Sequence, residues 1–183
     1  LGATLPFIDI ETIDPFATEF LGTAGADFYD FGPFTRFSPG FGTAAAIEML
    51  RAGGGNDTVL VGDTALATTF NRIEGDAGDD SLVGGLSRDW LDGGADADML
   101  AGGDAADTLL GGEGADSLEG GAGDDSLLGG GGSDTQLGEA GNDTLLGDAG
   151  VDYLLGGDGE DLLRGGGDFD SVHGGAGNDT ILG

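Results

Sequence analysis

An aspartate returns every ninth residue along this chain, at Asp80, Asp89, Asp98, Asp107, Asp116, Asp125, Asp134, Asp143, Asp152, Asp161, Asp170 and Asp179. An ionised carboxylate only accepts, so a regular file of them is suited to holding hard cations through oxygen. Each Asp occupies the sixth place of a unit Gly-Gly-x-Gly-x-Asp-x-U-x, in which U is a large apolar residue. Twelve such units fill residues 75–182 without insertion or deletion. Gly holds the first place in all twelve and U is aliphatic in eleven, Gln136 being the exception. Paired carboxylates also serve glycosidases, but a strict nine-residue phase is better explained by metal. The single histidine, His173, has no partner histidine and no His-Glu-x-x-His motif, and no Ser or Cys has a general base beside it. Nucleophilic catalysis is therefore not expected, and the chain reads as non-enzymatic.

A period of nine is neither 3.6 nor 2, which excludes a long amphipathic helix or an alternating sheet as the source of the pattern. Each unit reads as a six-residue Gly-rich turn followed by a three-residue strand x-U-x. Two units make an 18-residue coil, and stacked coils form two parallel sheets with odd and even units on opposite faces. Six coils at about 4.8 Å give a rod roughly 29 Å long. Its core is a double column, Leu82, Leu100, Leu118, Gln136, Leu154 and Val172 against Leu91, Leu109, Leu127, Leu145, Leu163 and Ile181. Stacking puts the Asp of one unit about 4.8 Å from that of the next unit but one, where like charges repel unless a cation lies between them. Ca2+ takes six to eight oxygen ligands in flexible geometry, backbone carbonyls included. Mg2+ demands a strict octahedron and sheds water reluctantly. Zinc would lack its nitrogen and sulfur ligands.

These nonapeptides resemble the RTX (repeats-in-toxin) calcium-binding family, regularly over 75–182 and weakly back to Gly22. The resemblance implies an all-β parallel β-roll solenoid with an irregular aromatic-rich N-terminal cap. It also implies a ligand set in which one turn offers its Asp and its first and third carbonyls, and the next turn on that side offers its Asp and carbonyls two and four. Carried onto this chain, Gly111, Glu113 and Asp116 face Gly130, Gly132 and Asp134 across one ion, and Gly120, Ala122 and Asp125 face Glu139, Gly141 and Asp143 across another. Five gaps on each side give up to ten Ca2+ sites in the regular block. Departures at the fourth place (Ser87, Asp96, Ala105, Asp168) and the second (Asp76, Glu139, Asp148) are expected to weaken the neighbouring turns. The family's association with type I secretion implies an extracellular or cell-surface protein, and extracellular modules bind Ca2+ at about 10⁻⁴ to 10⁻³ M. The chain would stay open in a low-calcium cytosol and fold outside.

Composition agrees with cations as partners. The 183 residues carry 35 acids against five Arg and no Lys, a net charge of −30. That excludes nucleic acid and argues against an anionic membrane surface. Without Cys there is neither a disulfide framework nor a thiolate metal site, and no membrane-spanning run or Sec signal is seen. Gly183 opens a thirteenth unit, compatible with a piece of a longer chain.

Three regions are distinguished. Residues 1–51 form an irregular N-terminal cap or contact segment with a divergent repeat at 22–30, 52–74 form irregular first coils, and 75–183 form the regular roll. All four Pro and nine of the thirteen aromatics fall in the first 41 residues. Asp57 and Val59 fit the Asp and U places of an early unit. A five-residue loop around 61–65 then interrupts the ladder, so that Asn71 and Ile73 take the Asp and U places of the next. The stretch Phe31 to Phe41 reads as a larger insertion, and Ala44 to Leu50 as a short helix or a strand edge. The N-terminal aromatics are expected to cap the open solenoid end or to contact a parent domain or a second copy. Trp90, Tyr153, Phe169 and His173 are expected on the surface. The functional expectation is a secreted, non-catalytic calcium-binding module. The alternatives are a subunit of an extracellular fibre, surface layer or adhesin, and the C-terminal module of a secreted protease, lipase or epimerase. Ice binding ranks last for want of an outward Thr array.

Overall fold

A computed structural model describes residues 19–26, 28–30, 49–61 and 71–182. Its strands are β1 (Glu19–Thr23), β2 (Phe28–Asp30), β3 (Met49–Gly54), β4 (Thr58–Leu60), β5 (Asn71–Ala77) and β6 (Ser81–Gly85). The series continues with β7 (Asp89–Ala95), β8 (Met99–Asp104), β9 (Thr108–Glu113), β10 (Ser117–Ala122), β11 (Ser126–Gly131) and β12 (Thr135–Ala140). It ends with β13 (Thr144–Ala149), β14 (Tyr153–Asp158), β15 (Leu162–Gly166), β16 (Ser171–Ala176) and β17 (Thr180–Leu182). Odd strands form one nine-stranded sheet and even strands an eight-stranded one, each in sequence order. Every pairing is parallel, and in the regular block the register is a shift of 18 residues, as in Leu118 with Gln136 and Leu127 with Leu145. The expected β-solenoid of 18-residue coils is therefore what the chain forms.

The strands are longer than the expected x-U-x. Most run six residues, from the seventh place through the third place of the next unit, so that β9 includes Gly111 and Gly112. Those glycines continue the ladder, Gly112 lying in register with Gly94 and Gly130. The turn proper shrinks to places four to six.

Between the sheets lies one continuous file of apolar side chains. Val59, Ile73, Leu82, Leu91, Leu109, Leu118, Leu127, Leu145, Leu154 and Leu163 are fully buried, with Leu50 and Ala52 extending the core backward. Val172 packs against it from a partly buried position. Gln136 sits inside this file, fully buried, and its Nε2 donates to the Leu146 carbonyl at 2.7 Å. Ile73 pairs with Leu50 and Leu91, and Asn71 with Asp89, so the ladder resumes after its interruption in the expected phase. Asp57 likewise stands one coil before Asp80. Residues 62–70, the insertion at Phe31 to Phe41 and most of the N-terminal aromatics lie outside the described residues. Of Ala44 to Leu50, the last two residues open β3.

Candidate metal centre

Each turn carries its Asp at the point where the chain enters a strand. The backbone N–H of each Asp donates to Oδ1 of the Asp one coil later. One file runs Asp57 to Asp80, Asp98, Asp116, Asp134, Asp152 and Asp170, at 2.8 to 3.1 Å. The other runs Asp89 to Asp107, Asp125, Asp143, Asp161 and Asp179, at 2.7 to 3.1 Å. These bonds orient each carboxylate after the first of its file. They leave Oδ2 of Asp80, Asp98, Asp107, Asp116, Asp125, Asp134, Asp143, Asp152 and Asp161 buried and without a hydrogen-bond partner. A buried anionic oxygen with no donor is costly unless something positive faces it.

The surroundings show where that positive charge belongs. A Cβ built on Gly111 would lie 2.5 Å from Asp116 Oδ2 and 2.6 Å from the Gly129 carbonyl oxygen. Glycine is required at the first place because a carboxylate and a carbonyl of the next turn converge there. Gly131 O accepts from Gly114 N–H at 2.7 Å, so the third carbonyl also points back to the earlier turn. The Gly112 and Gly114 carbonyls point forward, against Gly130 and Gly132. The gap between the Asp116 and Asp134 turns is thus faced by carbonyls two and four of the earlier turn and one and three of the later. This reverses the expected assignment of carbonyls to turns. By the same register the carbonyls of Gly111 and Glu113 face the turn of Asp98, and those of Gly130 and Gly132 face the turn of Asp152. Gly120, Ala122, Glu139 and Gly141 shift in the same sense, because Gly123 O faces Gly141 and Ala140 O accepts from Gly123 N–H.

Burial pushes these carboxyls up, against a partial lowering by the backbone N–H each accepts. Asp80, Asp134 and Asp143 reach about 6, Asp98 about 7 and Asp107 about 8. Neighbouring Asp charges add to the rise, and Arg88 works against it at Asp107. Asp116, Asp125 and Asp152 are raised for the same primary reason. Among the described residues, no three His, Cys, Asp or Glu side chains group as a metal site. Any ion must be held by pairs of Asp with backbone oxygens, the donor set that suits Ca2+. The buried partnerless Oδ2 atoms and the cradles that a Cβ would fill fit such an ion.

The departures from glycine are tolerated more widely than expected. Six of the seven adopt positive φ, from 68° to 79°, and Ser87 stands outside that set with its hydroxyl 3.5 Å from Asp89 Oδ1. Sequence reasoning missed a second polar file on one edge, where Asn142 donates to Asp124, Glu160 N–H donates to Asn142 and Asn178 donates to Glu160. Acid and amide alternate there at 18-residue spacing, a signal present in the fifth places of the units. A separate cluster lies on the odd sheet's outer face. Glu74 is clasped by Arg51 and Arg72, each at 2.7 Å, and the Arg72 guanidinium lies 4.1 Å from the centre of the Trp90 ring. Phe169 is exposed to solvent, and Tyr153 sits 5.7 Å from His173, ring to ring.

The family model for the RTX calcium-binding nonapeptide repeat matches four times, over residues 68–100, 101–136, 137–163 and 155–183. No curated protein matches the chain.

Proposed function

The chain belongs to the RTX calcium-binding nonapeptide repeat family, and from that premise we propose that it is a secreted, non-catalytic module folded by Ca2+ bound in the gaps between successive turns. The observation that carries this reading is the buried Oδ2 without a partner, repeated at nine turns from Asp80 to Asp161, beside carbonyls of the next turn. In the gap between Asp116 and Asp134, the proposed ligands are those two carboxylates with the carbonyls of Gly112, Gly114, Gly129 and Gly131. The gap between Asp125 and Asp143 takes the carbonyls of Gly121, Gly123, Gly138 and Ala140 in the same way. The regular block offers up to ten such gaps.

The consequence is folding coupled to binding. A chain of net charge −30 with 42 Gly has too little apolar surface to offset chain entropy and stacked like charges. Ions that bind only the stacked coils supply the missing stabilisation, and an ion shared by two turns makes adjacent coils cooperative. Low calcium inside a cell keeps such a chain open, and millimolar calcium outside closes it.

Far-UV circular dichroism with light scattering, across a titration from chelator to about 10 mM Ca2+ with Mg2+ as control, tests the reading. A calcium-specific gain of β-structure at monomer mass supports the folding module. The same transition with growth in mass supports an assembling subunit of a fibre or surface layer. Absence of a transition refutes calcium-driven folding.

A further inference from the structure

One buried carboxylate is satisfied by protein donors alone. Glu74 is 7 % exposed, and guanidinium groups hold both its oxygens: Arg51 Nε lies 2.7 Å from Oε2, and Arg72 donates to Oε1 through Nε at 3.0 Å and Nη2 at 2.7 Å. Arg72 also covers the Trp90 ring, and its charge acts on Asp92, the neighbour of Glu74 on the next strand. The cluster ties together β3, β5 and β7, three consecutive strands of the odd sheet. In a chain with five Arg and no Lys, two of the cations serve this one acid.

The same end of the solenoid departs from the metal cradle on both edges. Ala52 stands in register with Gly75, where a Cβ would meet Asp80 Oδ2 and the Gly93 carbonyl. Its methyl instead joins Leu50, Ile73 and Leu91 in the apolar file, fully buried. On the other edge Asn71 holds the place that Asp89 holds one coil later, so that file has no carboxylate there. Where the ion-binding pattern lapses, side-chain links between strands take over. Isolated surface ion pairs contribute little, but this network closes on a buried acid with charge-assisted bonds and a stacked ring. Three strands with a shared apolar face are enough sheet to persist, and Val59 of β4 and Leu82 of β6 complete the buried cluster opposite.

Resting on the reading that Ca2+ folds the later coils, we propose that β3, β5 and β7, clasped by Arg51, Glu74, Arg72 and Trp90 and backed by β4 and β6, form a folding seed that holds without calcium. The seed presents Asp80 and Asp89 as the first rungs of the two files, and calcium adds coils from there in one direction. In a stacked array each new coil needs a formed neighbour to pack on. A seed that is already formed removes the search for the first pair, and the rest of the chain stays open until the ion arrives.

Trp90 is the chain's only tryptophan, so its emission reads the seed alone. The full chain is compared with Glu74→Gln and Arg51→Ala, and with Arg164→Ala as control, an arginine in the same outer column of the odd sheet at its far end. In chelator, wild type and Arg164→Ala are expected to keep Trp90 shielded from acrylamide and the amides of β3, β5 and β7 protected from hydrogen exchange, while those of β9 to β15 exchange freely. Glu74→Gln and Arg51→Ala are expected to lose both forms of protection in chelator and still fold with calcium. After a calcium jump they should fold roughly tenfold more slowly, the factor of one charge-assisted hydrogen bond made before the barrier. If Trp90 is exposed in chelator, and becomes shielded only as the whole roll gains β-structure with calcium, the seed is overturned and calcium-driven folding stands. Protection that survives both substitutions overturns the assignment to this cluster. If calcium leaves the far-UV spectrum unchanged, the earlier reading falls, and urea unfolding in chelator decides the seed. Trp90 losing its shielding after the remaining β-structure is gone then supports it, and losing it together with that structure or earlier overturns it.

Discussion

Asp116→Asn separates charge from shape. Asp116 Oδ1 accepts from Asp98 N–H at 2.9 Å, and an asparagine oxygen keeps that bond. The amide nitrogen then replaces Oδ2, the buried oxygen that lies beside the Gly129 carbonyl. Packing and register survive, and what is removed is one negative charge from the gap to Asp134. A site with a dissociation constant of 10⁻⁴ to 10⁻³ M contributes about 1.4 to 2.7 kcal/mol at 10 mM Ca2+. Losing that site therefore costs up to this amount. The two oxygens of Asp116 face two gaps, so the cost reaches at most about twice as much. The assay is urea unfolding in 10 mM Ca2+, paired with the calcium midpoint of folding by circular dichroism. The variant is expected to unfold at lower urea and to fold at higher calcium. Asp104→Asn, at an exposed acid in the same coil stack, serves as the control for overall charge. If Asp116→Asn folds at the wild-type calcium concentration, or shifts no more than Asp104→Asn, calcium in this gap is refuted.

Acidity should act in opposite directions with and without calcium. Folded-state values raised to about 6 to 8 at Asp80, Asp98 and Asp107 give a stabilisation that is fully present below the ordinary carboxylate value of 3.8 and lost as pH rises through that window. The chelated chain is thus expected to gain β-structure on acidification, seen by circular dichroism between pH 8 and pH 4. Calcium binding is expected to weaken over the same fall in pH, because protons compete for the same oxygens. Gly111→Ala drives a Cβ into the Asp116 carboxylate and the Gly129 carbonyl and should lose about 1 to 3 kcal/mol in urea unfolding with calcium. Gly131→Ala, where a Cβ first meets the movable Glu113 carboxylate, should lose much less. Gln136→Leu removes a buried amide whose Oε1 has no partner and should raise the urea midpoint, by about 1 kcal/mol of stability.

The solenoid was legible because its period leaves no other way to bury one apolar residue in nine. The phase even carried across an insertion, placing Asn71 and Ile73 correctly, since the aspartate and U columns fix each other. Strand length was not legible: Gly111 and Gly112 have the composition of a turn, and only the ladder to neighbouring coils makes them strand. The direction of the carbonyls was equally hidden, because it follows from the sign of φ at places two and four rather than from residue type. The Arg51–Glu74–Arg72–Trp90 cluster was missed for a related reason. Its members are scattered in sequence from Arg51 to Trp90 and meet only after β3, β5 and β7 align.

The hydrogen bonds that join Asp to Asp, strand to strand and turn to turn lie along the axis of the rod, and few cross between distant coils. Pulled from its two ends, such a rod loads its coils in series, and the weakest interface yields first. Each released coil frees 18 residues, about 60 Å of extended chain in exchange for about 4.8 Å of rod. On the proposed reading the molecule is a length reserve, released in equal steps and expected to wind back when tension falls and calcium is present.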